Sequence, residues 1–277
     1  AVMNTVLVLL ITQVILIFSF GKKFSWNKII AQAVERAAFD DVHLLNCYAF
    51  GEVSWFFILI LFFIIASVFT RYKYREKQRF GALQENDIPR NWKSVLANGL
   101  PLAVLAILYY ISDHNPVFML SFVGSISFAL SDTLATELGL LSKERPRSIL
   151  TGEVVNKGQS GGITLYGEIA AIISSLVMGS ICGIWFSNNR MSQISIIIVA
   201  ALVGGVLATN LDSILGSTIQ AKYKCVHCKK RLEKRAIHCN RAMILERGIS
   251  IVDNNVVNLL GMIIGALISA SFVLLLE

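Results

Sequence analysis

Long apolar runs separated by shorter polar segments dominate the chain. They cover residues 2–20, 53–70, 95–111, 117–130, 169–186, 194–209 and 256–276. A helix needs about 20 mostly apolar residues to cross the hydrocarbon core of a bilayer. The pattern therefore predicts an all-α, polytopic integral membrane protein with about seven (six or seven) transmembrane helices. The fourth and sixth runs are short, which predicts helices that stop inside protein or in a water-filled space.

Composition supports this class, since 55% of the residues are hydrophobic and only 16% are charged, which excludes a disordered chain. We divide the chain into an N-terminal helix and linker at 1–50 and a membrane domain at 51–277, with a Cys/His loop at 221–250. The first run lacks a basic start and an obvious cleavage site, so we expect a retained helix. Two GxxxG pairs, at 179–183 and 261–265, predict helix packing only.

The net charge of +7 is concentrated in loops, at 71–93, 143–157 and 222–247. With seven helices, these three loops fall on one side of the membrane, and the positive-inside rule makes that side cytoplasmic. We therefore predict a cell-membrane protein with a cytoplasmic N-terminus, an outside C-terminus and no nucleic-acid partner. The basic residues between 22 and 36 conflict with this placement of the first helix.

Two apolar runs end in acidic residues. The first end, "SDTLATELG", contains Asp132, Thr133 and Glu137, and the second, "NLDSILGSTIQ", contains Asp212 and Gly216. Ionisable groups at membrane depth favour a functional role. Two alternatives stay open: a solvated helix end with Ser131 or Asp132 as N-cap, and small-residue helix packing around Gly216.

The remaining polar clusters precede two apolar runs. "NKGQSGGITLYG" is a glycine-rich loop whose backbone amides, ahead of a helix N-terminus, could bind phosphate; its candidate residues are Asn156, Lys157, Ser160, Gly161, Gly162 and Thr164. A flexible turn is the alternative. "DNNVVNLLG" offers Asn255 and Asn258 as further binding residues, and Asp253 or Asn254 as an N-cap.

All four clusters fall on one predicted side, so we expect them to line one site. Asp132 and Asp212, with Glu137 as a further catalytic candidate, could hold Mg²⁺, which prefers a few carboxylates together with phosphate oxygens. A separate zinc site is predicted from the C-x₂-C pair and a following His-Cys pair. Its ligands would be Cys225, Cys228, His238 and Cys239, and free thiols are the alternative.

The motifs "SDTLATELG", "NKGQSGGITLYG", "LDSILGSTIQ" and "DNNVVNLLG", in this order, resemble those of the transmembrane protein 19 family, an integral-membrane domain of unknown function (number 92). The family includes plant phytyl-phosphate kinase. The resemblance implies a kinase that converts an isoprenoid monophosphate, phytyl or geranylgeranyl, to the diphosphate with a nucleoside triphosphate, CTP favoured. The positions that match the family motifs are Asp132, Thr133, Glu137, Asn156, Gly161, Gly162, Asp212, Gly216 and Asn258.

Two other functions are compatible with the sequence. A transporter or flippase would use the carboxylates for cations or protons, but its site would lie near the middle of a helix. A lipid nucleotidyltransferase using CTP would release pyrophosphate instead of CDP. The expected partners are membrane lipid, an isoprenoid phosphate and a nucleotide, with a homo-oligomer as an open possibility.

Overall fold

A computed structural model describes residues 49–78, 92–187, 190–229, 231–233, 237–239 and 241–276. The first predicted run, at 2–20, lies outside these residues, so its retention as a helix stays a prediction. The other six apolar runs lie in described helices, and the all-α class is confirmed.

The helices are α1 Ala49–Arg71, α2 Tyr74–Gln78, α3 Trp92–Ile111, α4 Pro116–Gly139, α5 Leu165–Phe186, α6 Met191–Thr218 and α7 Asn254–Ala270, which a 3₁₀ turn extends over Ser271–Leu275. Four helical stretches are long and apolar enough to cross a membrane: Pro116–Gly139, Leu165–Phe186, Met191–Thr218 and Asn254–Leu275. Two shorter apolar stretches are Trp55–Arg71 and Asn98–Ile111.

The fourth and sixth helices extend past the ends of their apolar runs, and where they stop relative to the bilayer stays a prediction. α4 continues to Gly139 and α6 to Thr218. Their polar residues are accommodated inside the helices. The Thr133 hydroxyl donates to the Ala129 carbonyl at 2.8 Å, and the Asn210 amide donates to the Val206 carbonyl at 3.0 Å. Hydropathy therefore falls at these ends while the backbone stays helical.

Helix α4 forms the centre of the bundle and contacts α1, α3, α5, α6 and α7. Serine hydroxyls join it to its neighbours: Ser125 donates to the Met262 carbonyl at 2.9 Å, and Ser127 to the Ala201 carbonyl at 2.9 Å. Interhelical hydrogen bonds of this kind contribute about 0.6 kcal/mol each on average. They fix the rotation of α4 about its axis and so fix which of its side chains face the site.

Glycines let the same helices approach closely. A Cβ on Gly261 would lie 2.1 Å from the Phe128 ring, and one on Gly265 would lie 2.8 Å from the Gly124 carbonyl oxygen. At the other pair, a Cβ on Gly179 would lie 2.7 Å from the Ala201 side chain. The packing role predicted for both GxxxG pairs is confirmed.

Short strands organise the two loops between the last four helices. β1 Arg147–Ser148 pairs antiparallel with β2 Gly162–Ile163 between α4 and α5. Between α6 and α7 lie β3 Lys222–Lys224, β4 Arg231–Leu232, β5 Ile237–His238, β6 Arg241–Ala242 and β7 Ile244–Arg247. β3 is the middle strand of a three-stranded sheet in the order β4-β3-β7, and β5 and β6 form a separate hairpin. Both loops connect helices at the same end of the bundle.

Candidate functional site

A cavity of about 330 Å³ opens at the end of the bundle where these loops lie. The C-terminal parts of α4 and α6 and the N-terminal parts of α5 and α7 contribute to its walls. Its lining includes Asp132, Thr133, Glu137, Lys157, Ser160, Gly161, Gly162, Thr164, Asp212, Gly216 and Asn258, all predicted site residues. Asn156 and Asn255, which were also predicted, are not part of the lining.

Asp132 lies inside α4, in its C-terminal part, and does not cap a helix. α4 is continuous through Ser131 and Asp132, so the N-cap alternative for these two residues is wrong. By the rise of about 1.5 Å per residue, Asp132 lies about 10 Å from the C-terminal end of the helix. The Asp132 side chain is half-buried and faces the cavity.

The Asp212 carboxylate lies among like charges and lacks a partner for one oxygen among the described residues. It interacts electrostatically with the carboxylates of Asp132 and Glu233, both of the same charge. Its Oδ1 atom is buried and has no hydrogen-bond partner in the part of the chain that the structure describes. A buried carboxylate oxygen without a partner is costly, and a bound cation would satisfy it.

Glu137 has a different environment from the other two predicted acids. Its Oε2 atom accepts from the Lys77 Nζ at 2.7 Å, and Lys77 is fully buried. Lys77 also donates to the Phe69 carbonyl at 2.7 Å. Glu137 is buried as well, so the alternative of a solvated helix end does not apply to it, and Lys77 balances its charge.

The glycine-rich loop is folded against α6. Gly161 has a φ of +80°, and a Cβ there would lie 2.4 Å from the Ser217 Cβ. A Cβ on Gly216 would lie 3.3 Å from the Ser160 Cβ. These two glycines therefore let the loop and α6 pack closely together. The contact supports the packing interpretation of Gly216 and argues against the flexible-turn alternative for the loop.

The loop's cation and hydroxyls have defined partners. Lys157 donates to the carbonyls of Leu140 at 3.3 Å and Ser142 at 2.5 Å, which ties the loop to the end of α4. Thr164 caps α5, because its Oγ1 accepts from the Gly167 amide at 3.0 Å. Both residues keep contact with the cavity.

Glu233 brings a further carboxylate from the Cys/His loop. Its Oε1 accepts from the Ser160 amide at 3.0 Å and from the Ser160 hydroxyl, and its Oε2 accepts from Gln220 at 3.1 Å. The protein's own carboxylate thus occupies donors of the loop that was predicted to bind an anion.

The start of α7 combines capping with the cavity wall. Asp253 accepts from the amides of Asn255 at 2.9 Å and Val256 at 3.0 Å, so the predicted N-cap is Asp253. Asn255 donates its side-chain amide to Asp253 at 3.2 Å and so supports the cap. Asn258 lies on the wall and accepts from Asn254 at 3.3 Å.

The thiols of Cys225, Cys228 and Cys239 form a second group, whose sulfur atoms all lie within 4.8 Å of one another. None of them lines the cavity. Hydrogen bonding to Cys228 raises the pKa of the Cys239 thiol to about 11. The side chain of His238, the other predicted zinc ligand, lies outside the described residues.

Residues 36–266 match the family described as integral membrane protein DUF92. The chain belongs to this family. The resemblance drawn from the motifs is therefore confirmed, and so is the assignment to integral membrane proteins.

Three relatives of this DUF92 protein show how far the similarity extends. An uncharacterized membrane protein of Methanocaldococcus jannaschii is 31% identical over 173 residues, or 62% of this chain and 68% of its own. Protein PGR of Arabidopsis thaliana is 27% identical over 249 residues, or 83% of each chain. Protein VTE6, chloroplastic, of the same plant is 24% identical over 213 residues, or 75% of this chain and 61% of its own. No solved structure matches the chain.

Lys77, which pairs with Glu137, and the lining residues Asn98, Glu168 and Glu233 are among the site residues that were not predicted from the sequence. Asn98 and Glu168 line the cavity, and Glu168 accepts from Asn210 at 3.1 Å. Glu168 is the one acid in the first turn of α5, and Glu233 is a single acid in the basic run "KKRLEKR". Each acid stands out in the sequence, Glu168 at the start of an apolar helix and Glu233 among basic residues.

Replacement of Gly161 by Ala tests the contact between loop and helix. A methyl group would strain the positive φ and collide with Ser217, so we expect a loss of about 1–3 kcal/mol of stability beyond that of the control. Gly152→Ala is the matched control, because Gly152 has a φ of +69° but nothing within 4 Å of its Cβ position. Thermal unfolding in detergent measures both variants, and equal losses would contradict the contact.

Proposed function

We propose that this DUF92 protein is an integral-membrane kinase that transfers a phosphoryl group from a nucleoside triphosphate, CTP favoured, to an isoprenoid monophosphate. The observation that carries the proposal is the convergence of Asp132, Asp212 and the glycine-rich loop on one cavity at one end of the bundle. An interfacial site of this kind suits a lipid phosphate, whose chain stays in the bilayer while the nucleotide arrives from water.

The charges of the cavity favour a metal-bound nucleotide. Five carboxylates line the described cavity, at Asp132, Glu137, Glu168, Asp212 and Glu233, and the one Lys or Arg among the described lining residues is Lys157. Free phosphate would be repelled from such a surface. A nucleotide that carries Mg²⁺ would be attracted to it.

The residues fit Mg²⁺. Asp132 and Asp212 supply hard oxygen ligands, and the buried Oδ1 of Asp212 has no protein partner in the described chain. We assign these two carboxylates to the ion. When bound, Mg²⁺ would neutralise charge on the phosphates of the donor. Glu137 acts as a positioning residue, because its carboxylate is held by Lys77.

The reaction needs orientation more than a general base. An oxygen of the lipid phosphate attacks the terminal phosphorus of the donor, a new P–O bond forms, and the bond to the β-phosphate oxygen breaks. The products are the isoprenoid diphosphate and the nucleoside diphosphate. Since the second pKa of a phosphate monoester is about 6, the attacking oxygen is already ionised at neutral pH, and positioning supplies most of the catalysis.

The glycine-rich loop is assigned to the phosphates of the donor. The amide and hydroxyl of Ser160 already bind a carboxylate, which is the type of contact that a phosphate oxygen would make. Rotation of the Glu233 side chain would release these donors. Lys157 lies on the wall beside them and would contribute a point charge.

The isoprenoid acceptor and CTP rest on the family resemblance, and the cytoplasmic side of the cell membrane rests on the positive-inside rule. The structure contributes one supporting fact. The loops at 143–157 and 222–247 lie at the cavity end of the bundle. The described part of the basic segment 71–93, residues 71–78, reaches the same end through the contact of Lys77 with Glu137.

A cation or proton transporter is the second candidate, favoured by the acidity of the cavity. Two features speak against it. The cavity lies at the helix ends, and α4, α5, α6 and α7 are unbroken there, whereas secondary transporters bind at the midplane beside discontinuous helices.

Purified protein in detergent, supplied with Mg²⁺, a panel of prenyl monophosphates and each of the four nucleoside triphosphates, tests the proposal. We expect equal amounts of prenyl diphosphate and nucleoside diphosphate, and no product when Mg²⁺ is chelated. Release of pyrophosphate would establish the nucleotidyltransferase instead. Absence of any product, together with cation flux in proteoliposomes, would overturn the proposal in favour of the transporter.

A further inference from the structure

Two hairpin turns meet in the β unit between α6 and α7. Cys225 directly follows β3, and Cys228 lies in the same turn, before β4. Cys239 directly follows β5, in the turn that leads to β6. Lys229 and Cys239 have positive φ values of 60° and 52°, so each turn reverses sharply beside a cysteine. The topology thus brings together thiols that are separated in the sequence.

The spacing of these thiols suits a tetrahedral metal. Zn–S bonds of about 2.3 Å in a tetrahedron place two sulfur atoms about 3.8 Å apart. The three sulfur atoms of Cys225, Cys228 and Cys239 lie within 4.8 Å of one another, so small side-chain rotations bring them to that distance. Cys225 is buried, while Cys228 and Cys239 are exposed, which leaves an entry path for an ion.

Among the residues that the structure describes, the apolar core of the β unit is small. It consists of Ala221, Tyr223, Cys225 and Met243, with Leu232 packed against them. Ile237, on β5, is 80% exposed. Small units with so little buried surface usually need a cross-link or a metal.

We propose that Cys225, Cys228 and Cys239 bind a thiophilic divalent ion of the zinc class, with a nitrogen, sulfur or water ligand in the fourth position. The ion fixes the β3–β4 hairpin, which carries Glu233 to Ser160 and Gln220. Glu233 directly follows β4, which pairs with β3, and Lys222 at the start of β3 donates to the Ser160 carbonyl at 3.2 Å. The metal therefore sets the position of a carboxylate in the cavity without lining it. This site does not depend on the proposed reaction.

Metal analysis of the full chain, purified under reducing conditions, tests the site. We expect about one zinc ion per wild-type chain and its loss in Cys228→Ser and Cys239→Ser. Cys182→Ser is the matched control, because Cys182 lies in α5 away from the cluster, and it retains zinc. Replacement of zinc by Co²⁺ adds sulfur-to-metal charge-transfer absorption in the wild type and in the control only.

Hydrogen exchange tests whether the metal site positions Glu233 at the cavity. It reads out the Ser160 amide directly and so does not depend on cysteine variants. Removal of the ion by a chelator is expected to speed exchange of the Ser160 amide, and Glu233→Gln is expected to speed it with zinc still bound. Zinc-free wild-type protein, or equal zinc in Cys228→Ser and Cys182→Ser, would overturn the metal site. Unchanged exchange at Ser160 after removal of bound zinc would overturn its role in placing Glu233.

Discussion

Asp212→Asn is expected to lower the rate of phosphoryl transfer at least 100-fold while leaving the protein folded. Removal of one preorganised group that stabilises developing charge typically costs about 10²–10³ in kcat. Asn keeps the size of the side chain but loses the charge that would hold Mg²⁺ beside Asp132. The assay is the formation of prenyl diphosphate by purified protein, measured at saturating nucleotide and Mg²⁺.

Glu153→Gln is the matched control for Asp212→Asn. It makes the same change from carboxylate to amide, but Glu153 is exposed and lies outside the cavity. We expect activity within about twofold of the wild type, as for most surface substitutions. Full activity in Asp212→Asn, or an equal loss in both variants, contradicts the assignment of Asp212 to the ion.

Stability provides an independent readout for the same variant. Asp212 lies among like charges at Asp132 and Glu233, and its Oδ1 lacks a partner in the described chain. Neutralising it removes repulsion, so we expect a thermal midpoint equal to or above that of the wild type. Loss of activity with retained stability is the pattern of a functional group that is unfavourable for the fold. A lower midpoint would indicate that Asp212 is structural.

The sequence was sufficient to predict the helices and the end of the bundle that carries the polar clusters. Apolar runs of membrane length predict helices directly, because every backbone N–H and C=O group inside the bilayer must be hydrogen-bonded within the protein. Asp132 and Asp212 were found because they interrupt such runs, and interruption is a local signal. How far α4 and α6 continue past these residues was left open, because hydropathy falls where polar side chains begin even when the backbone stays helical.

The pairings within the site could not be predicted. Lys77 and Glu137 are separated by 60 residues, and Ser160 and Glu233 by 73. Each partner alone is an ordinary charged or hydroxyl residue in a polar segment. Only the packing of α2 against the end of α4, and of the β unit against the glycine-rich loop, brings them together. The same limit applies to Gly161, whose contact with Ser217 depends on the position of α6.

The glycine-rich loop shows how one pattern can serve two physical demands. Its glycines were interpreted as a means for the backbone to approach a ligand. In the fold, Gly161 is required by its φ and by the nearby Ser217, while Ser160, beside it, presents an amide that already binds a carboxylate. Close packing of the glycines against α6 thus holds the donor amide in place.

Lys77→Met is expected to destabilise the protein by about 3–5 kcal/mol, because it leaves the Glu137 carboxylate buried without its partner. The side chain of Lys77 is 0% exposed and that of Glu137 is 11% exposed. Met retains most of the apolar volume of the Lys stem, so the loss measures the ion pair and not packing. Equilibrium unfolding in mixed micelles gives the free energy.

The neighbouring pair Lys73–Glu76 supplies the control. It is an ion pair on the same segment, with a distance of 3.5 Å, but its side chains are 48% and 54% exposed. We expect Lys73→Met to cost at most about 1 kcal/mol, as exposed ion pairs do. The double variant Lys77→Met/Glu137→Gln should recover much of the loss, because it removes the unpaired buried charge. Equal effects of Lys77→Met and Lys73→Met, or no recovery in the double variant, would show that the buried pair does not anchor the end of α4 at the cavity.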